Sequence, residues 1–232
     1  MRNIIPSTLW VAICLPVLFA IPEAALAIPA ITCHCFTDRS YDPARPALAD
    51  PYFLASTQNS FMALVFSVEK KEIVIKKQKG AASDDLWLAY WLAGKGSAAT
   101  PDAVLQAKQG KESWQDVIAS MGIPARSLGP RFLAALKGKP PTSRLAESIV
   151  DDLLIKYKML SEVELNALHK AKGSTQEIIL ASVIAAKSRQ PALQVYQDVK
   201  RGAKSWGALL DKLNVGPSEI QDELASFVKR TN

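Results

Sequence analysis

Cys33-His34-Cys35 places two thiols and an imidazole in consecutive positions. Three chemistries suit that pattern. A Cys-x-Cys disulfide closes a small strained ring, and strain makes such a bond easy to reduce. Two thiolates with an imidazole make a soft-metal site suited to Cu(I) or Zn(II). The thiols can also pair with another chain, or staple the segment with no further role. Three ligands in a row do not close a tetrahedral site alone, so a metal would draw a ligand from elsewhere. Covalent haem attachment needs Cys-x-x-Cys-His, which is absent, so no haem is expected.

Other candidates are sparse. His169, the second of two histidines, falls on a predicted helix and reads as a surface residue. The carboxylate pairs Asp84-Asp85 and Asp151-Asp152 read as acids near helix starts, where they favour the helix dipole. Trp87 and Trp91 share an apolar segment and are candidate ligand-binding residues, with core packing as the competing reading. The sequence holds no Gly-x-Ser-x-Gly, no His-Glu-x-x-His, no phosphate loop and no dinucleotide glycine pattern. No catalytic residues are assigned, and a non-enzymatic protein is expected.

The elements that position these residues begin after a targeting segment. Residues 1–27 have a basic start at Arg2, an apolar run from Leu9 to Ala20, and Ala25-Leu26-Ala27 as a signal-peptidase site. Cleavage is expected before Ile28, giving a periplasmic or secreted protein. An uncleaved segment would instead tether the chain to the membrane. Residues 28–50 read as an extended arm, because Pro29, Pro43 and Pro46 oppose helix there. Asp50 is expected to cap the next helix, with Pro51 in its first turn.

The rest of the chain reads as all-α, in two tandem copies of a roughly six-helix unit over 51–138 and 139–232. Lys108-Gln-Gly110-Lys-Glu-Ser113-Trp114 recurs 92 residues later as Lys200-Arg-Gly202-Ala-Lys-Ser205-Trp206. The apolar ladder Val117, Ile118, Met121, Ile123 then answers to Leu209, Leu210, Leu213, Val215. Aligning 103–137 with 195–229 gives only five identities, yet apolar character persists, so packing holds the copies alike. Each Ser is a helix cap and each Trp a core anchor. Ser161-Glu-Val-Glu164 is a capping box. Trp87 and Trp91 become Ile179 and Val183 in the second copy, so the repeat itself does not require those aromatics.

The pattern Lys-x-Gly-x-x-Ser-Trp followed by an apolar helix, with a preceding helix like Glu177 to Ile184, resembles poorly characterised secreted helical proteins of anaerobic delta-proteobacteria. The resemblance covers most of the mature chain twice. It implies an exported all-helical repeat protein and carries nothing about catalysis.

Half the residues are apolar (49%), enough to build a core, which sets the chain apart from disordered proteins. The net charge of +6 admits an anionic partner. The leading expectation is a non-catalytic binding or scaffold protein of the cell envelope, with another envelope protein as partner. The alternative is a soft-metal or thiol-redox accessory acting through Cys33, His34 and Cys35. A third is binding to an anionic polymer through Lys76, Lys77, Lys79, Lys108, Lys111, Lys200, Arg201 and Lys204.

Overall fold

The structure is a computed structural model that describes residues 45–95, 99–110 and 113–231. Cys33-His34-Cys35 and the targeting segment lie outside the described residues. Twelve α-helices follow one another, and no strand occurs among the described residues. The first six are α1 (Asp50–Phe66), α2 (Lys70–Gln78), α3 (Ser83–Ala93), α4 (Pro101–Gln109), α5 (Trp114–Ser120) and α6 (Pro130–Leu136). The second six are α7 (Thr142–Lys156), α8 (Glu162–Lys170), α9 (Thr175–Ser188), α10 (Ala192–Lys200), α11 (Trp206–Lys212) and α12 (Pro217–Thr231).

Four of the six helix starts repeat at the sequence offset, while α10 and α12 begin 91 and 87 residues after α4 and α6. Residues 50, 70, 83 and 114 open α1, α2, α3 and α5; adding 92 gives 142, 162, 175 and 206, which open α7, α8, α9 and α11. Local chemistry explains the starts. The Thr100, Ser113, Ser161, Ser174 and Ser205 hydroxyls accept the N3 amide of their helices. Ser161 and Ser174 complete capping boxes with Glu164 and Glu177.

Packing crosses the midpoint of the chain. α1 lies against α9 and α12, and α7 lies against α3 and α6. These are equivalent contacts under the 92-residue offset. The first helix of each half therefore buries itself mainly on the other half. The core runs through both: Phe61, Trp87, Phe132, Ile149, Leu180 and Tyr196 belong to one apolar cluster. Trp114 and Trp206 are both buried in it, as core anchors should be.

One local expectation is revised, and two helix starts depart from simple capping. Asp50 does not cap its own helix: a 3₁₀ turn at Pro46–Ala49 runs directly into α1, and Ala49 precedes it in helical conformation. α3 starts at Ser83 with Ala82 before it, and the Ser83 hydroxyl donates to Gln58 instead of capping. The last helix of the first half is short, at seven residues. Residues 125–127 form a 3₁₀ turn, and Gly129-Pro130 restarts the chain as α6.

Candidate functional site

α1 carries five consecutive buried polar residues, Ser56 to Ser60. A helix surrounded by neighbours has no solvent face, so these groups need partners inside the protein. Ser56 Oγ accepts from Lys70 Nζ at 2.8 Å, and Asn59 Oδ1 accepts from Lys77 Nζ at 2.6 Å. Gln58 Oε1 accepts from Ser83 Oγ and from Gln176 Nε2, each at 3.0 Å. One polar stripe thus ties α1 to α2, α3 and α9. Burial holds the Lys70 and Lys77 ammoniums down to about 8, with Asp84 opposing that fall at Lys77. Thr57 Oγ1, Asn59 Nδ2 and Ser60 Oγ find no hydrogen-bond partner among the described residues.

The second half repeats the Lys77–Asn59 contact with different chemistry. Adding 92 to 59 and 77 gives Asp151 and His169, and His169 Nε2 lies 2.9 Å from both Asp151 carboxylate oxygens. The other ring nitrogen, Nδ1, lies 3.3 Å from Glu147 Oε1. Glu147 and Asp151 are one turn apart on α7, so both carboxylates face α8. The Asp151 hydrogen bond raises the His169 pKa; desolvation opposes it, and the negative charges of Asp151 and Glu147 add to the rise. Arg144 ion-pairs with Glu147, while Arg131 reaches Asp152 and Glu162. The group lines an open cleft of about 490 Å³ with Ser148 and Asn166. The oxygen and nitrogen atoms of Glu147, Asp151 and His169 lie within 4.8 Å of one another, close enough to share a cation.

His169 is accordingly half-buried and paired, not a bare surface residue. Asp151 and Asp152 sit in the second half of α7, because that helix begins at Thr142 and runs to Lys156. They do not serve its N-terminus. Asp152 instead approaches α6, where its carboxylate accepts from Phe132 N at 3.4 Å. Asp84 and Asp85 do open α3, and Asp85 Oδ1 accepts from Trp114 Nε1 at 3.3 Å.

A larger cleft, about 1020 Å³, lies between α2, α4 and the starts of α3 and α7. Lys76, Lys79 and Lys108 line it together with Gln106, Gln109, Asp85 and Asp102. Lys76 is ion-paired with Asp102 and reaches Glu72 at 3.9 Å. The remaining lysines of the expected basic set go elsewhere. Lys77 is buried, Lys200 pairs with Glu177, Lys204 pairs with Asp198, and Lys111 lies outside the described residues.

Trp87 is fully buried, with its ring against Phe61 and edge-on to Phe66. Trp91 is partly buried, and Lys95 Nζ stands 4.2 Å above its ring. The two tryptophans are therefore in different surroundings and share no ligand surface here. Comparison with protein-family models, curated proteins and solved structures finds no match to this chain.

Proposed function

We propose that this chain is a non-catalytic, exported helical protein with a binding or scaffold role in the cell envelope. The observation that carries this reading is the cleft between α2 and α4. Three ammonium groups and two amides surround a floor of Leu105, Ala81 and Ala82. That lining suits an acidic, extended segment of another envelope protein or a short stretch of anionic polymer. Asp85 and Asp102 oppose part of the charge, so the cleft favours spaced acids over a dense run. The targeting pattern of residues 1–27 supports export. Among the described residues no helix is long and apolar enough to cross a membrane.

Equilibrium binding to a peptide of alternating glutamate and glycine, with poly-glutamate as the weaker-binding comparison, tests the reading. Affinity should fall steeply as salt rises, since exposed charges are screened over about 10 Å at 0.1 M. The double substitution Lys79→Glu/Lys108→Glu should weaken binding at least about tenfold, given like-charge repulsion at the rim. Salt-independent binding, or binding untouched by that substitution, would contradict the proposal.

A second reading rests on Cys33-His34-Cys35, where three soft or borderline ligands stand together. It makes the protein a soft-metal or thiol-redox accessory. Metal analysis of anaerobically purified protein, with a Cys33→Ser/Cys35→Ser control, tests it. Absence of both a bound metal and a reducible bond would remove it.

A further inference from the structure

The two halves place a cation-bearing side chain at the same point, yet only the second surrounds it with carboxylates. Subtracting 92 from Glu147, Asp151 and His169 gives Ala55, Asn59 and Lys77. The first trio offers a methyl, a neutral amide and an ammonium. The ammonium is buried and cannot ligate a metal while charged. The second trio offers two carboxylates and an imidazole beside an open cleft. Helix packing is served by either set, so packing alone does not call for the second.

We propose that Asp151 and His169 bind a divalent transition cation of the zinc type, with Glu147 orienting the imidazole. Nε2 and the Asp151 carboxylate already face each other at 2.9 Å. Metal–nitrogen and metal–oxygen distances near 2.1 Å at a tetrahedral angle put the two ligand atoms about 3.4 Å apart, so the pair need only part by about 0.5 Å to admit the ion. Glu147 lies beside the opposite ring nitrogen, 3.3 Å from Nδ1, where its negative charge favours the hydrogen on Nδ1 and leaves Nε2 to the metal. A histidine held on one side by a carboxylate and on the other by a metal is a common arrangement, and the carboxylate fixes which nitrogen is free to ligate. Water from the cleft completes the coordination. Binding exchanges the Nε2–H···Asp151 hydrogen bond for two metal–ligand bonds, and the displaced proton goes to solvent.

The surrounding charge favours a cation. Glu147, Asp151, Asp152 and Glu162 supply four negative charges; Arg131 and Arg144 supply two positive ones. With a neutral imidazole the neighbourhood carries a surplus of two negative charges, in a protein whose net charge is +6. The two guanidiniums are engaged by Asp152, Glu162 and Glu147, and neither is paired with Asp151. Imidazole with carboxylate suits zinc-like ions better than magnesium or calcium, which prefer all-oxygen sets.

Titration calorimetry with Zn²⁺ on the full chain tests this, in a Cys33→Ser/His34→Ala/Cys35→Ser background that silences the other candidate ligands. One ion should bind per chain, and repeating the titration in buffers of different ionisation enthalpy should show proton release that the His169→Ala variant loses. His169→Ala should weaken binding at least about tenfold, and Glu147→Gln by about ten- to a hundredfold. His169→Gln keeps a polar group of similar reach and serves if His169→Ala does not fold. Absence of Zn²⁺ binding in that background, or binding unchanged by either His169 substitution, would overturn the assignment.

Discussion

Lys77 and His169 stand 92 residues apart, and each hydrogen-bonds the residue 18 positions before it: Asn59 at 2.6 Å and Asp151 at 2.9 Å. The second helix of each half thus makes a polar contact to the first at the same register. Its chemistry has diverged. Lys77 is buried against a neutral amide, whereas His169 lies at a cleft between two carboxylates.

The Lys77 contact should give stability a rising pH dependence. In the unfolded chain a lysine titrates at 10.5; in the fold, burial lowers Lys70 and Lys77 to about 8. Between those values the unfolded chain holds more protons, so unfolding free energy rises with pH. Lys77→Met removes one of these contributions and leaves those of Lys70 and Lys95, which burial also lowers. Urea unfolding across that window should show a shallower slope than the parent protein.

His169 acts with the opposite sign. Its folded pKa is raised above 6.5, chiefly by the hydrogen bond to Asp151. Its contribution is full below 6.5 and fades as pH rises through the folded value. The groups facing it are Asp151, Glu147 and Arg144 from α7, with Arg131 of α6 lining the same cleft. In chelator, His169→Gln should melt with a weaker pH dependence than the parent as pH rises above 6.5.

Asp50 ties the first helix to the second half of the chain. Its carboxylate accepts from Trp206 N at 3.1 Å and Gly207 N at 2.8 Å, so the first helix caps the eleventh. The helix dipole and two otherwise unpaired amides both favour an anion there. Asp50→Ala should lower unfolding free energy by about 1–2 kcal/mol in urea titration, the usual cost of losing a cap.

Asp152 makes the related contact at α6, and Gly129 makes room for it. A Cβ on Gly129 would lie 1.9 Å from Asp152 Oδ2. Gly129→Ala should therefore push the carboxylate off Phe132 N and Arg131, costing about 1–2 kcal/mol. Because both changes remove the same contact, adding Asp152→Ala should cost less than the sum of the single substitutions.

Much of the helical architecture was legible because caps and glycines are local signals. Thr100, Ser113, Ser161 and Ser205 announce helices that do start beside them. Gly80, Gly122 and Gly202, all at positive φ, mark the turns after α2, α5 and α10. Asp50 misled because a preceding proline-led turn is already helical, which leaves its carboxylate free to serve a helix 156 residues away. No local rule reveals that partner. The polar stripe of α1 was visible as Ser-Thr-Gln-Asn-Ser within an otherwise apolar helix, but its meaning depends on which helices surround it. The His169 cluster had a sequence signal: the offset that aligns Trp114 with Trp206 also aligns Lys77 with His169 and Asn59 with Asp151. Reading polar positions through the repeat would have found it.

The interlocked halves imply a single cooperative body, since α1 buries itself on α9 and α12 and α7 on α3 and α6. Native-state hydrogen exchange in rising urea reads this directly. The slowest amides of α1, α3, α7 and α9 should converge on one opening free energy. If α7 and α9 open while α1 and α3 keep their protection, the halves are independent and the interlocked description is wrong.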